Sequence, residues 1–389
     1  MWLKTYPHLF HTAAACAGLL LSATALSAQE QNIAVIRPTD TPAEIVRKAA
    51  NVVPSERQFN WQRQELTAFL HYGVNTYTGR EWGDGTESPA VFNPTALDAD
   101  QWIRELKAAG FRCAILTCKH HDGFCLWPSA CTEHSVKHSP WKNGKGDVVR
   151  EVSDACRKYG ISFGIYLSPW DRNSKLYGTE AYNDYFVSQL TELLTQYGKV
   201  SEVWFDGACG EGANGKKQEY DFVRWYSLIR RLQPDAVIAV MGPDVRWVGT
   251  ETGRGRETEW SVVPKDNLDQ ETIAKNSQQE MLTAPVGDMR GQDLGSRKVI
   301  EKAKSLVWYP AEIDVSIRPV LSCRPGLQGE IAERADGHLL HIRRHERCPA
   351  AESSAGQRGT ACRGRRGEPP WLPPAVRRNI LPQPAHRFQ

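Results

Sequence analysis

An alternation of apolar strand, polar cluster and helix runs through the middle of the chain. Strands are predicted at residues 66–72, 111–119, 161–167, 200–205 and 236–241, with helices between them at 98–109, 147–159, 180–197 and 219–232. The first three of these helices are each followed directly by a glycine, which ends them. Strands and helices that alternate in this way form parallel βα units. The sequence therefore predicts an α/β fold, specifically a (β/α)8-type, TIM-like barrel, for which 389 residues are sufficient.

The predicted barrel is incomplete at its C-terminal end. Two further strands are predicted at 258–262 and 312–317, which makes seven, whereas a closed barrel of this type needs eight. Residues 320–389 instead contain twelve Arg, eight Pro and seven Gly, and no strand-like pattern longer than 339–342. A segment of this composition buries too little apolar area to offset the entropy of the chain. We expect 320–389 to be an aberrant or disordered tail, with a basic functional tail as the alternative.

The first 28 residues have the pattern of a secretory signal peptide. Lys4 precedes an apolar run at 13–26, and small residues follow before Gln29. We expect cleavage after Ala28, with Ala25 as the alternative, and export to the periplasm or the extracellular space. The apolar run is too short for stable membrane insertion. The barrel domain is accordingly predicted to span residues 29–319.

The net charge of +3 is an average over two unlike parts of the chain. Twelve Arg and six acidic residues give the segment 320–389 a charge of +6, which leaves −3 for residues 1–319. The body is therefore not a nucleic-acid binder by charge. Its six cysteines after the signal segment match no common zinc spacing, so we predict buried thiols, with one disulfide as the alternative, and neither a metal nor another cofactor.

Side chains that can bind or react stand at the ends of the predicted strands. They are His71, the pair His120 and His121, Tyr166 with Trp170, and Asp206, which precedes Gly207 and a glycine-rich run at 210–215. In a (β/α)8 barrel the C-terminal ends of the strands meet at the face where catalytic groups lie. Imidazoles and indoles beside a carboxylate suit a neutral polyhydroxylated ring. The alternative for Asp206 is that it only caps a turn.

Hydrolysis of a glycoside needs a second carboxylate. One of the two acts as nucleophile or base, and the other stays protonated so that it can act as the acid. The loop at 243–263 offers three contenders, Glu251, Glu257 and Glu259. Position alone does not separate them from ordinary solvated glutamates.

Several motifs together resemble glycoside hydrolase family 29, the α-L-fucosidases. The motifs are His71-Tyr72-Gly73, Glu81-Trp82, Lys119-His120-His121-Asp122-Gly123-Phe124, Tyr166-Leu167-Ser168-Pro169, Trp204-Phe205-Asp206-Gly207, Trp308-Tyr309-Pro310-Ala311-Glu312 and Val315-Ser316-Ile317-Arg318-Pro319. They occur in order between about residues 54 and 319. Beyond Pro319 the family's Gly-Trp-Phe and final barrel strand are missing, which is consistent with a shifted reading frame for the tail.

The resemblance implies a role for each matched residue. Asp206 would be the nucleophile of a retaining mechanism. Residues that would bind the sugar are His71, Glu81, Trp82, His120, His121, Tyr166 and Trp204. The stretch 243–249 resembles the branch selective for α-1,3/1,4-linked fucose, in which the acid/base follows a Gly-Asn pair. Here the pair is Gly249-Thr250, so Glu251 inherits that role and Glu259 is the reserve.

The resemblance implies a secreted, exo-acting, retaining α-L-fucosidase that acts on fucosylated oligosaccharides or glycoconjugates. Two alternatives stay open. One is a truncated, non-catalytic or misfolded homologue that at most binds fucose, because a missing strand would leave a barrel edge unpaired. The other is a different barrel glycosidase, such as a galactosidase.

Overall fold

The computed structural model describes residues 32–248, 260–265 and 294–316, together with the backbone of residues 339–345. Its strands and helices, in chain order, are β1 (Ile33–Val35), α1 (Pro42–Ala50), α2 (Glu56–Gln62), β2 (Leu66–His71), α3 (Val74–Thr78), α4 (Ala99–Ala108), β3 (Cys113–Lys119), α5 (Val148–Tyr159), β4 (Ser162–Leu167), α6 (Ala181–Gln196), β5 (Glu202–Phe205), α7 (Phe222–Leu232), β6 (Val237–Val240), β7 (Arg246–Trp247), β8 (Val262–Pro264), α8 (Arg297–Ile300), β9 (Ser305–Trp308), β10 (Ala311–Ser316) and β11 (Leu339–His345). The predicted signal peptide, residues 1–28, lies outside these residues.

One sheet contains eight of the strands, in the order β6-β5-β4-β3-β2-β11-β10-β7. The strands from β2 to β6 are parallel neighbours, which confirms the predicted βα units. Within the described ranges, the two ends of this order are linked by one parallel bridge, between Ala239 and Val245. The arrangement is that of a (β/α)-type barrel whose closure is incomplete.

Side-chain caps fix where the helices of these units begin and end. Asp98 accepts a hydrogen bond from the backbone N–H of Gln101, and Asp147 accepts one from Arg150, so α4 and α5 begin where predicted. Helix α5 ends at Tyr159 because Gly160 adopts a left-handed φ of 64°, a conformation that costs glycine little.

The predicted start of α7 at residue 219 is wrong by three residues. The helix begins at Phe222 because the carboxylate of Asp221 accepts a hydrogen bond from the N–H of Arg224. An N-cap residue of this kind has a non-helical backbone, which places residues 219–221 outside the helix. Asp221 is a residue type that commonly caps helices, but the apolar periodicity from which the helix was predicted does not mark where the helix begins.

The predicted barrel strand at 258–262 is also wrong. Strand β8 occupies Val262–Pro264 and pairs antiparallel with β9, in a separate sheet of order β1-β9-β8. Its valines are buried, and Val262 packs on the small cluster formed by α1 and the residues around α8. A short apolar run has the same hydrophobic pattern in either sheet. The pattern therefore predicts a strand but does not show which sheet the strand joins.

Strand β11 lies within the segment that we expected to be disordered. It pairs antiparallel with β2, where Leu339 lies opposite His71, and antiparallel with β10. The strand thus takes the place between the first and last barrel strands where an eighth was missing. Its direction departs from the all-parallel order of a (β/α)8 barrel.

No helix among the described residues is long and apolar enough to cross a bilayer.

Candidate active site

The strand ends bring most of the predicted site residues together. His71 ends β2, His120 and His121 follow β3, and Tyr166 lies near the end of β4. Ring centroids of His71 and His120 are 4.8 Å apart, and those of His120 and His121 are 4.2 Å apart. The ring of Tyr166 stacks on that of His120 at 5.7 Å. Parallel pairing of β2, β3 and β4 is what aligns these side chains, which are distant in sequence.

Asp206 follows β5 and joins this cluster. Its Oδ2 accepts a hydrogen bond of 2.9 Å from the hydroxyl of Tyr166, and its Oδ1 accepts one of 2.8 Å from the N–H of Ala208. About a quarter of the side chain, 25%, is exposed. Asp206 therefore does cap a turn, as the alternative interpretation held, but the same turn directs its other oxygen to Tyr166 in the cluster.

The hydroxyl of Tyr166 donates a hydrogen bond to Asp206. Burial, together with the nearby negative charge of Asp206, raises the pKa of the Tyr166 phenol well above its usual value. The neutral phenol is consequently favoured at this position. One oxygen of Asp206 is thus held in place by a neutral donor.

His121 is neutral although it lies beside a carboxylate. Burial is the largest cause, and together with the charges of Arg172 and Lys119 it lowers the pKa of the imidazole to about 3. The 3.7 Å between its Nε2 and Oδ2 of Asp206 is therefore not an ion pair. A neutral imidazole at this position adds no positive charge beside the carboxylate of Asp206.

Trp204 packs against Tyr166 and is held in place by Glu312. Its indole stacks on Tyr166 with 5.0 Å between ring centroids, and its Nε1–H donates a hydrogen bond of 2.8 Å to Oε1 of Glu312. Glu312 is only 1% exposed. The sequence had marked Glu312 as part of a motif but without a role, because its contact with Trp204 joins strands that are 108 residues apart.

Two tryptophans form the rim of the site. The indole of Trp82 is 50% exposed and lies nearly perpendicular to the ring of His121, with 5.1 Å between ring centroids. Trp170 lies 5.0 Å from His121 and 5.9 Å from Trp82. The sequence noted Trp170 only as a strand-end aromatic, yet it contacts both neighbours. Exposed indole faces of this kind stack on the C–H surfaces of sugars.

The remaining predicted residues are Glu81 and the two acid/base candidates. Glu81 is exposed on the loop after α3. Its carbonyl accepts a hydrogen bond from Asn75, while its carboxylate makes no hydrogen bond or ion pair with another described residue. Glu251, predicted as the acid/base, and its reserve Glu259 lie outside the described residues. Among the described residues, Asp206 is the predicted catalytic carboxylate that the cluster contains.

The six cysteines of residues 32–248 are all thiols, and five of them are buried. They are Cys113, Cys118, Cys125, Cys131, Cys156 and Cys209. Burial raises the pKa of the Cys156 thiol to about 12, and burial raises those of Cys113, Cys118 and Cys125 as well. These four thiols are therefore poor nucleophiles.

Asp122 is a buried acid on the loop that follows His121. Its oxygens accept hydrogen bonds from the N–H of Phe124 and from Nδ2 of Asn75. Burial is nevertheless the largest cause of a rise in the pKa of its carboxyl, which together with the charges of Glu87 and Asp171 reaches about 7. The folded protein therefore holds a proton here between about pH 4 and 7 that the unfolded chain releases, so stability falls as the pH rises through that window.

Replacing Asp122 by Asn should remove this dependence, because the amide stays neutral. We expect the free energy of unfolding of Asp122→Asn to rise relative to the wild type between about pH 5 and 8, as measured by urea denaturation at both values. Asp154→Asn, at an exposed position, is the matched control and should follow the wild type. Parallel pH profiles for Asp122→Asn and the wild type would show that Asp122 is ionised in the folded state.

The geometry places the chain in the class of (β/α)-barrel proteins with a strand-end carboxylate set among imidazoles and indoles. The sequence profile of the α-L-fucosidase family matches residues 49–253. The chain therefore belongs to the α-L-fucosidase family, glycoside hydrolase family 29, as its motifs indicated.

Individual relatives agree with this assignment. The chain is 49% identical to α-L-fucosidase 1 of Arabidopsis thaliana over 269 residues, which cover 69% of this chain and 49% of the plant protein. A crystal structure of a provisionally assigned α-L-fucosidase from Bacteroides ovatus is 56% identical, with a TM-score of 0.65 over 74% of this chain and 49% of that one. A fucose complex of a GH29 fucosidase from Ruminococcus gnavus is 32% identical, with a TM-score of 0.52 over 69% of this chain and 57% of that one. The chain thus spans about half the length of the curated relatives it matches.

Proposed function

We propose that this protein is an exo-acting, retaining α-L-fucosidase that releases α-linked L-fucose from fucosylated oligosaccharides or glycoconjugates. The observation that carries the proposal is the environment of Asp206. Its carboxylate is oriented by the Tyr166 phenol, lies beside the neutral imidazole of His121, and is still partly exposed to the site. Membership of the α-L-fucosidase family indicates that the sugar released is L-fucose.

The mechanism that suits this geometry is a double displacement. An oxygen of Asp206 attacks the anomeric carbon while a carboxylic acid, which we assign to Glu251, protonates the departing glycosidic oxygen. The resulting carboxylate then removes a proton from water, which attacks the same carbon and releases Asp206 and fucose. Retaining enzymes of this kind hold their two carboxyl groups about 5–5.5 Å apart.

The surroundings of the carboxylate suit a neutral sugar. Imidazoles of His71, His120 and His121 can exchange hydrogen bonds with hydroxyl groups, and the indoles of Trp82 and Trp170 can cover its apolar face. We further propose, from residues 243–249, a preference for α-1,3/1,4-linked fucose, and, from residues 1–28, export from the cytoplasm.

The test of the function is hydrolysis of an aryl α-L-fucoside by the full chain, followed by NMR of the first-formed sugar. We expect α-L-fucose first, because two displacements restore the configuration. β-L-fucose first would overturn the retaining mechanism. Binding of fucose without any turnover would instead favour the non-catalytic homologue, and hydrolysis of a galactoside alone would favour the other glycosidase.

Glu251 and Glu259 can be separated by the leaving group. Loss of a general acid matters most when the departing alkoxide is a poor leaving group. We expect Glu251→Ala to lower kcat/KM for a natural fucosylated oligosaccharide by about 100-fold, but to affect an activated aryl fucoside far less. Glu259→Ala is the matched control and should affect both substrates equally. The reverse pattern would transfer the acid/base role to Glu259.

A further inference from the structure

The serine that follows β4 contacts His121 from behind the site. The Oγ atom of Ser168 lies 2.7 Å from Nδ1 of His121 and 2.7 Å from the carbonyl oxygen of Trp170. Ser168 is fully buried, and its backbone N–H donates to the carbonyl of Lys119. Both the serine and the imidazole are therefore held in fixed positions.

These two short distances determine where the protons lie. A hydroxyl group has one proton, whereas a carbonyl oxygen can only accept. If the hydroxyl of Ser168 donated to His121, its oxygen would face the carbonyl of Trp170 at 2.7 Å with no proton between them. These two contacts both have a proton only if Ser168 donates to the carbonyl of Trp170 and accepts from the Nδ1–H of His121.

We propose that Ser168 is a positioning residue that holds His121 in the Nδ1–H tautomer, so that Nε2 presents a lone pair to a sugar hydroxyl beside Asp206. Nε2 is the atom that faces Asp206, at 3.7 Å from Oδ2. In this tautomer the imidazole cannot donate a proton to the carboxylate. His121 therefore acts as a hydrogen-bond acceptor toward the substrate and leaves the negative charge of Asp206 available for attack.

The role in sugar binding rests on the proposed function, but the tautomer can be measured without any turnover. We would label the full chain with ¹⁵N-histidine and assign the His121 signals by their loss in His121→Gln. We expect a protonated, pyrrole-type Nδ1 and an unprotonated, pyridine-type Nε2 in the wild type. The opposite assignment in the wild type would overturn the proposal, whether or not the protein hydrolyses fucosides.

Removing the hydroxyl should release the ring. In Ser168→Ala we expect the ¹⁵N signals of His121 to shift toward a mixture of tautomers, and kcat/KM for an aryl fucoside to fall about 10-fold, the usual order for one lost hydrogen bond. Ser168→Thr keeps the hydroxyl and should restore the wild-type signals. Ser129→Ala is the matched control, because Ser129 is equally buried but its hydroxyl donates to Glu192 and accepts from the N–H of Cys131, away from the predicted site residues.

A double-mutant cycle separates this role from a general structural one. If Ser168 acts through His121, Ser168→Ala should lower kcat/KM no further in a chain that already carries His121→Gln. Additive losses, or ¹⁵N signals of His121 that do not change in Ser168→Ala, would show that the serine does not act through the imidazole.

Discussion

Asp206→Gly is expected to lower kcat of this protein by about 10⁴-fold or more, a loss typical of removing a catalytic nucleophile. Binding of fucose should be largely kept, because the imidazoles and indoles around the site do not depend on this carboxylate for their packing. The measurement is hydrolysis of an aryl α-L-fucoside beside calorimetric titration with fucose. Near-normal turnover in this variant would remove Asp206 from the mechanism.

Azide gives a sharper version of the same test. A small anion can enter the space left by the carboxylate and attack the anomeric carbon from the side that Asp206 occupied. The expected product is a β-L-fucosyl azide, of inverted configuration, with the aryl alcohol as leaving group. Recovery of activity with a product of retained configuration would contradict the assignment. Asp235→Gly, at an exposed turn before β6 and at the opposite end of the strands, is the control and should keep wild-type activity.

The second large effect concerns the buried ion pair behind the site. Nζ of Lys119 lies 2.9 Å from Oδ2 of Asp171 and 3.0 Å from Oε1 of Gln189, and both charged side chains are at most 1% exposed. The other oxygen of Asp171 accepts hydrogen bonds from the N–H groups of Asn173 and Ser174. The pair therefore anchors the loop after β4, which carries Ser168 and Trp170.

Lys119→Met is expected to lower the free energy of unfolding by about 3–5 kcal/mol, because it leaves Asp171 charged and buried without its partner. Guanidinium denaturation, read by tryptophan fluorescence, measures the loss. The double variant Lys119→Met/Asp171→Leu should recover much of it, since neither charge then remains in the interior.

The chain offers a matched exposed pair as the control. Nζ of Lys199 lies 2.8 Å from Asp235, but both side chains are more than 70% exposed. The same substitution, Lys199→Met, should change stability little, because water already solvates both charges and salt screens them. Equal losses in the two variants would show that burial is not what makes the Lys119 pair important.

The local sequence was enough to predict the βα units and the strand ends that carry the site. The signals used were the spacing of apolar residues, capping aspartates such as Asp147, and helix-ending glycines such as Gly160. Each acts within a few residues, so each can be recognised in the sequence without knowledge of the fold. Because parallel strands present their C-terminal ends at one face, the clustering of His71, His120, Tyr166 and Asp206 followed from the same pattern.

Tertiary structure decided what depends on distant partners. Three features join segments that lie far apart in the sequence, so no local hydrophobic pattern could predict them. They are the contact of Trp204 with Glu312, the burial of Lys119 with Asp171, and the position of β11 between β2 and β10. The neutral state of His121 is of the same kind, since it comes from desolvation by the folded chain around it. Local sequence determines which side chains stand at the strand ends, whereas their charge and orientation are set by burial and by hydrogen-bond partners that only the folded chain brings together.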